Sequence, residues 1–246
     1  MLRHRYMKNT GSLRRITFGI LFWSMANGIY AQTTPGMQPE WLSYDVIYQL
    51  GFLWKRAATA TPVSPSNINR QLYALHSTIG QPKVEAAARR CLDINPALRI
   101  HTIYKTYDAE HREEFFAAPY DFIIDAIDLV SCKLDLISQA QGRGIPIISA
   151  LGTGNKLDPT RLCISDISKT SGCPLARVMR RELKARGIRH LPVVFSPEEA
   201  AEIRQLDTPD PGRRSVPASV AWVPSCAGLM LGGYVVQELC KKEVEQ

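Results

Sequence analysis

The stretch Asp121-Phe-Ile-Ile-Asp125-Ala-Ile-Asp128 is an apolar run closed by two carboxylates. This pattern is typical of a strand that is buried on both faces of a parallel sheet. Ligands of open α/β sheets bind at the carboxyl ends of such strands. We therefore expect a central strand over residues 122–127, with Asp128 placed to hold Mg²⁺, which prefers carboxylate and phosphate oxygens. Asp125 has two interpretations, a carboxylate of the site or the cap of a helix that begins near Val130.

Strand and helix patterns alternate on both sides of this run, which predicts a doubly wound, mostly parallel sheet with helices on its faces. The predicted strands are Leu98–Tyr104, 122–127 and Ile145–Ser149, and the predicted helices are Lys83–Leu92, Ala109–Ala117, Val130–Gly142 and Arg177–Arg186. We expect Gly142 to cap its helix. The last apolar stretch, Ala218–Leu239, contains Pro224 and Gly232-Gly233. These residues favour a buried strand, turn and helix over a membrane span.

Two polar pieces precede the central strand, Asn67-Ile-Asn-Arg70-Gln71 and Gly80-Gln-Pro-Lys83. Arg70 can bind phosphate through a planar fork of donors, and Lys83 can act as a point charge. Each side chain alone would more often be a solvated surface charge. Their joint occurrence with Asp128 favours a phosphate-binding site.

The composition is that of an ordinary globular chain: 246 residues, 45% hydrophobic and 22% charged, with a formal net charge of +7. These values exclude disordered and collagen-like classes. The positive charge suits an anionic partner such as RNA. On the predicted basic helix, Arg177, Arg181 and Lys184 share one face, which either binds RNA phosphates or is an ordinary solvated face.

The six cysteines contain no C-x-x-C pair, so we predict no structural zinc site and expect reduced thiols. A reactive thiol needs exposure and a lowered pKa. Cys91 lies on an apolar helix stripe and Cys226 in an apolar run, which favours inert burial for both. Cys173, beside Pro174, is the thiol that we would test first.

Residues 1–64 differ in character from residues 65–246, which we predict to form the main domain. A basic start is followed by a mostly apolar run, Ile16–Ala31, which has the pattern of a secretory signal peptide. No G-x-G-x-x-G loop, whose backbone N–H groups would cradle nucleotide phosphates, occurs in residues 1–65. We expect this segment to be poorly ordered and to represent a truncated, frame-shifted or misassigned start. A lineage-specific replacement is the alternative.

Four pieces together resemble the ThiF/MoeB/HesA family of ubiquitin-activating-like adenylating enzymes. They are the two polar pieces, Leu92-Asp-Ile-Asn95-Pro96 and the central run. Further motifs resemble the tRNA threonylcarbamoyladenosine dehydratases within that family (TcdA, also called CsdL). These motifs are Asp158-Pro-Thr160, Ser165-Asp-Ile-Ser-Lys169-Thr170 and Cys173-Pro-Leu-Ala176, where the usual pattern has an acid in place of Cys173.

The resemblance implies a Rossmann-like fold and an ATP-dependent dehydration of threonylcarbamoyladenosine in tRNA through carboxylate adenylation. It places Asn67, Arg70, Gln71 and Lys83 at the ATP phosphates and Asp128 on Mg²⁺. It implies a homodimer in which an arginine near the partner's N-terminus reaches the phosphates. It also implies a cytoplasmic location and sulfur-transfer partners such as a cysteine desulfurase or a sulfur acceptor.

The missing glycine-rich loop is the main departure from the family, and it leaves other functions open. We expect the chain as written to bind ATP poorly, and a micromolar ATP affinity would contradict this. One alternative is adenylation of the C-terminus of a ubiquitin-like sulfur carrier. Another is a non-catalytic remnant that serves as a dimerisation or tRNA-binding module.

Overall fold

The computed structural model describes residues 20–24, 27–32, 61–96, 98–202 and 218–244, with only the backbone described before residue 61 and after residue 241. These residues form a seven-stranded sheet in the order β3-β2-β1-β4-β5-β7-β6. The strands are β1 (Ile20–Ser24), β2 (Asn27–Gln32), β3 (Arg99–Thr102), β4 (Phe122–Asp125), β5 (Ile147–Ala150), β6 (Cys163–Asp166) and β7 (Pro192–Phe195).

The centre of the sheet is parallel and its margins are antiparallel. The central strands are parallel to one another: β1 pairs with β4, β4 with β5, and β5 with β7. In the β4–β5 pair, Asp125 lies opposite Ser149. The pairs β1–β2, β2–β3 and β6–β7 are antiparallel. The predicted α/β class with a Rossmann-like, mostly parallel core is therefore confirmed.

Helices cover both faces of the sheet. They are α1 (Lys83–Ile94), α2 (Arg112–Phe115), α3 (Val130–Gly142), α4 (Pro174–Ala185) and α5 (Trp222–Val244). Side chains of α1 and α5 pack on one face around Phe122 and Ile124, and side chains of α3 and α4 pack on the other face around Ile123. Successive residues of β4 thus point to opposite faces and are buried on both, because helices lie above and below.

The N-terminal part of the sheet differs from the signal-like interpretation of residues 16–31. β1 and all of β2 except its last residue lie in this run and pair as an antiparallel hairpin, with Ser24 opposite Asn27. A parallel crossover through a helix needs a dozen or more residues, and only two separate these strands. The structure therefore has no βαβ unit between β1 and β2, as the missing glycine-rich motif led us to expect. We expected residues 1–64 to be poorly ordered, and most of the remainder of this segment lies outside the described residues.

The C-terminal stretch was predicted wrongly as a strand, turn and helix, because it forms the single 23-residue helix α5. Pro224 is the third residue of α5 and lies in its first turn. Backbone N–H groups in the first turn have no partner within the helix, so a proline there removes no helical hydrogen bond. None of the described helices, α5 included, is long and apolar enough to cross a membrane. Gly142 was expected to cap α3, but it is the last residue of the helix and is not left-handed. Gly144 adopts the left-handed conformation instead, with φ 69°.

Candidate active site

The segment before α1 is a compact polar turn. The Ser64 amide donates to Asn67 Oδ1 over 3.1 Å, and the Gln71 amide donates to the Asn67 carbonyl over 3.0 Å. Asn67 and Gln71 are 3% and 1% exposed. Arg70 is half-buried, and its Nη1 donates to the Ser66 carbonyl and to Asn69 Oδ1, both over 2.7 Å. The structure therefore brings three of the predicted phosphate-binding residues into one turn.

Lys83 joins this turn because residues 63 and 81 are hydrogen bonded and Pro62 bridges Pro82. Lys83 is buried, and its Nζ donates to Thr61 Oγ1 over 3.2 Å. It is also the first residue of α1, whose N-cap, Pro82, makes no side-chain capping bond. A cation is unfavourable at the positive end of a helix, whereas an anion is favourable there. A phosphate at this point would be attracted both by the Lys83 ammonium and by the helix N-terminus.

Asp125 is part of a buried network, so its interpretation as a helix cap was wrong. It is fully buried, as is Lys133 of α3, and Lys133 Nζ donates to Asp125 Oδ2 over 2.6 Å. Ser149 Oγ donates to the same carboxylate oxygen over 2.6 Å, and Asp125 Oδ1 accepts from the Ile127 amide over 3.0 Å. The N-cap of α3 is Leu129, which makes no side-chain capping bond.

Asp128 is exposed and lies in the loop that follows β4, three residues beyond the end of the strand. The bond from the Ile127 amide to Asp125 turns this loop directly after the strand. An exposed carboxylate at the carboxyl edge of the sheet suits Mg²⁺, which keeps several waters and takes one or two carboxylates plus phosphate oxygens. The Asp128 carboxylate is therefore a suitable ligand for the predicted metal.

The loop after β5 lies beside the same turn. Asn69 Nδ2 donates to the Ser219 carbonyl over 3.1 Å, and the Ala218 amide donates to Asn155 Oδ1 over 2.7 Å. Sequence reasoning did not single out this loop or Lys133. Lys133 carried a usable signal, because it lies three, four and seven residues before the buried Leu136, Ile137 and Ala140 and so shares their face.

The predicted RNA-binding face is present on α4. Arg177, Arg181 and Lys184 are exposed, whereas Ala176, Met179 and Leu183 form the buried face. Arg181 pairs with Glu182 over 2.9 Å, which partly neutralises its charge. Arg180 has a structural role instead, because its Nη1 donates to the Thr170 carbonyl over 2.6 Å and to Thr170 Oγ1 over 2.8 Å.

The thiols differ in environment. Burial raises the pKa of Cys91 to about 12, despite the nearby Arg90, which keeps this thiol protonated and unreactive. Cys173 is also buried, at 4% exposure, and a Cβ at Gly152 would lie 3.3 Å from its Sγ. Cys240 is exposed. Cys226 is only half-buried, whereas the sequence predicted that it would be buried. Burial leaves Cys173 without the exposure that a reactive thiol needs.

Residues 62–245 match the model of the ThiF family. The chain belongs to the ThiF family. It is 42% identical over 188 residues to a tRNA threonylcarbamoyladenosine dehydratase of Bacillus subtilis, which covers 73% of this chain and 74% of the relative. It is 32% identical to a yeast tRNA threonylcarbamoyladenosine dehydratase (Saccharomyces cerevisiae) over 74% of this chain, but only 45% of that longer relative is covered.

Solved structures agree with this ThiF-family fold. The tRNA N6-threonylcarbamoyladenosine dehydratase TcdA of E. coli, in complex with ATP, superposes with a TM-score of 0.67 at 27% identity. The match covers 76% of this chain and 75% of that one. The same enzyme in complex with AMP gives the same TM-score.

Proposed function

We propose that this ThiF-family chain catalyses the ATP-dependent dehydration of threonylcarbamoyladenosine in tRNA. The likeness that carries this proposal is the 42% identity to the Bacillus subtilis dehydratase, which spans 74% of that relative. The E. coli relative was solved with ATP and with AMP, the substrate and a product of an adenylating reaction. We place the reaction in the cytoplasm, where tRNA and ATP are available.

Carboxylate adenylation explains why such a reaction consumes ATP. A carboxylate oxygen of the threonylcarbamoyl group attacks the α-phosphorus of ATP, and pyrophosphate leaves. Attack within the modified nucleoside then breaks the bond to AMP and closes a ring, so that one water is lost overall. The enzyme's contribution is to hold the reactants in line and to neutralise phosphate charge.

The turn before α1 supplies the groups that would bind ATP. Arg70 and Lys83 would neutralise phosphate oxygens, and the side-chain amides of Asn67 and Gln71 would orient them. Asp128 would hold Mg²⁺, which supplies further positive charge to the phosphates when bound. The fully buried Asp125 would position the loop that carries Asp128.

A homodimer and a tRNA-binding face complete the proposal. The exposed cations Arg177, Arg181 and Lys184 lie on one face of α4 and would contact tRNA phosphates. The dimer rests on family resemblance, as do the sulfur-transfer partners. Sedimentation analysis of the purified chain tests the dimer, and a monomer mass with ATP present would contradict it.

A second candidate is adenylation of a ubiquitin-like sulfur carrier. The chain is 33% identical to the molybdopterin-synthase adenylyltransferase of Haemophilus influenzae, but over only 87 residues and 35% of this chain. The third candidate, a non-catalytic remnant, is favoured by the β1–β2 hairpin, which leaves no room for a glycine-rich loop and crossover helix between those strands.

An AMP-release assay separates the three candidates. The purified chain would be incubated with ATP, Mg²⁺ and either tRNA that carries threonylcarbamoyladenosine, unmodified tRNA, or a carrier protein that ends in glycine. We expect AMP only with the modified tRNA. Pyrophosphate with the carrier, whose C-terminus keeps the AMP as an acyl adenylate, would support the second candidate, and neither AMP nor pyrophosphate with any substrate would support the remnant. Lys83→Ala should abolish release, whereas Lys241→Ala, on an exposed helix surface, should not.

A further inference from the structure

Lys156 is a buried cation for which the described residues provide no partner. It lies in the loop between β5 and the turn Pro159–Arg161, and only 3% of its surface is exposed. Its Nζ is buried and makes no hydrogen bond to the residues that the structure describes. Three residues earlier, Thr153 is 2% exposed, and its Oγ1 also makes no hydrogen bond. Two unsatisfied polar groups thus occur in one short loop.

An unpaired buried ammonium is costly, because its lost hydration is not replaced. The same chain shows how a structural buried lysine is satisfied. Lys133 Nζ donates to Asp125 Oδ2 over 2.6 Å, to Ser149 Oγ over 3.0 Å and to the Ala150 carbonyl over 2.9 Å. Among the described residues Lys156 has no such partners, so they do not supply the anion that would make its burial favourable.

The loop that carries Lys156 is firmly anchored. Asn155 adopts a left-handed conformation, with φ 59°, which asparagine tolerates better than most residues. Its amide donates to the Ala218 carbonyl over 2.8 Å, and its carbonyl accepts from the Ala201 amide over 2.8 Å. On the other side of Lys156, the Leu157 amide donates to Glu198 over 3.0 Å. The backbone on both sides of Lys156 is therefore held in place, so the Lys156 side chain cannot easily turn out to solvent.

The loop also lies at the edge of the sheet where the proposed ATP residues meet. It follows the carboxyl end of β5, which is parallel to β4. Asn69, next to Arg70, donates to the Ser219 carbonyl over 3.1 Å, and the adjacent Ala218 is bonded to Asn155. Residues 218 and 219 thus link the phosphate-binding turn to the loop that carries Lys156.

We propose that Lys156, with the Thr153 hydroxyl, forms a second anion-binding subsite that receives an anionic oxygen of the reactants. This inference rests on the proposed function, because its ligand is either the substrate carboxylate that is adenylated or a phosphate oxygen of ATP. Both ligands offer the negatively charged oxygen that an ammonium and a hydroxyl donor would bind. Bound there, the oxygen would be held in a site from which water is excluded, where such contacts are strongest.

The test is Lys156→Met, which keeps an unbranched side chain only one atom shorter and removes the charge. Without ligand, we expect the melting temperature to equal or exceed that of the wild type, because an unpaired buried charge is removed. With ligand, we expect a loss of about 10-fold to 100-fold in affinity or in kcat/KM, as for a hydrogen bond to a charged group. Thr153→Val should show a smaller loss in the same measurement. Lys241→Met removes an exposed charge and serves as the control.

Two arms of the experiment distinguish the ligands. If Lys156 binds a phosphate, the Kd for ATP measured without tRNA will rise in Lys156→Met. If Lys156 binds the substrate carboxylate, the Kd for ATP will stay unchanged and kcat/KM for the modified tRNA will fall. Unchanged Kd and kcat/KM would overturn the inference, and so would a lowered melting temperature without ligand, which indicates a structural role.

Failure of the proposed function can be recognised separately. If the wild type binds ATP but converts no modified tRNA, the proposed function fails, and the ATP arm alone decides the inference. In that case an unchanged Kd for ATP in Lys156→Met overturns it. If the wild type binds neither ATP nor the modified tRNA, both proposals fail.

Discussion

Gly172 occupies a position where the backbone leaves no room for a side chain. Its φ is 68°, and a Cβ would lie 2.5 Å from the Pro197 carbonyl oxygen. We predict that Gly172→Ala lowers the free energy of unfolding by about 2 kcal/mol or more, because left-handed strain adds to a backbone clash. Urea unfolding measures this loss.

Gly187 provides the matched control for Gly172→Ala. Its φ is 80°, but no described atom lies within 4 Å of the point that a Cβ would occupy. Gly187→Ala should therefore cost only the conformational strain, about 1 kcal/mol. Equal losses for the two variants would show that the contact with Pro197 is not what requires glycine at residue 172.

Thiol reactivity should follow burial. Burial raises the pKa of Cys91 to about 12, so almost no thiolate is present near pH 8, whereas Cys240 is exposed. We predict that maleimide labels Cys240 within minutes and labels Cys91 only after unfolding. Peptide mass spectrometry at increasing reaction times measures both rates. Rapid labelling of Cys91 in the folded chain would contradict the packing of α1 on the sheet.

At the scale of the element, the Asp125–Lys133 pair joins β4 to α3, and Ser149 extends it to β5. We predict that Lys133→Met lowers the free energy of unfolding by about 3–5 kcal/mol, because Asp125 is left as an uncompensated buried charge. The double variant Asp125→Leu/Lys133→Met should recover much of this loss. A double variant as unstable as Lys133→Met would show that the network stabilises the fold through its hydrogen bonds to Ser149 and the backbone.

The exposed face of α4 should determine the salt dependence of tRNA binding. We predict that Arg177→Ala/Lys184→Ala weakens tRNA binding and reduces the salt slope by about two, one for each lost phosphate contact. The fold should be unaffected, because the buried face of α4 consists of Ala176, Met179 and Leu183. Binding at several salt concentrations measures the slope. An unchanged slope, with Lys241→Ala as control, would make this face an ordinary solvated one.

The elements that the sequence predicted well have a single strong periodic signal. Helices α1 and α3 begin at the predicted residues, and β4 and β5 differ from their predicted bounds by two residues at most. The predictions failed where one pattern suits two structures. The apolar run that forms β1 and most of β2 also fits the pattern of a signal peptide. Pro224 suggests that a helix is broken there, unless it is known that this proline lies in the first turn of α5.

The candidate site was predictable only in part, for a physical reason. Arg70, Lys83 and Asp128 occur in motifs with fixed spacing, so the sequence identified them. Lys133 and Lys156 were missed, because a lysine is almost never fully buried and its burial depends on tertiary packing. For Lys133 the helical period held the signal, whereas the loop around Lys156 has no period to read.

At the scale of the whole molecule, the chain combines a ThiF-family domain with an N-terminal hairpin. Residues 62–245 match the family, and β1 and β2 lie within the sheet between β3 and β4. The turn before α1, the end of β4 and the loop after β5 all come from the matched part. The proposed ATP-binding side chains therefore lie within residues 61–244, and ATP binding by the chain would show whether a nucleotide can be held without a glycine-rich loop.

One measurement tests the central claim most directly: the mass of the modified nucleoside in tRNA after incubation with the full chain, ATP and Mg²⁺. We predict that threonylcarbamoyladenosine loses one water and that one AMP forms for each nucleoside converted. Asp128→Asn should slow this conversion about 100-fold or more, because a metal-bound charge at the phosphates is lost. An unchanged nucleoside mass, with wild-type chain that is folded and supplied with ATP, would contradict the proposed dehydration.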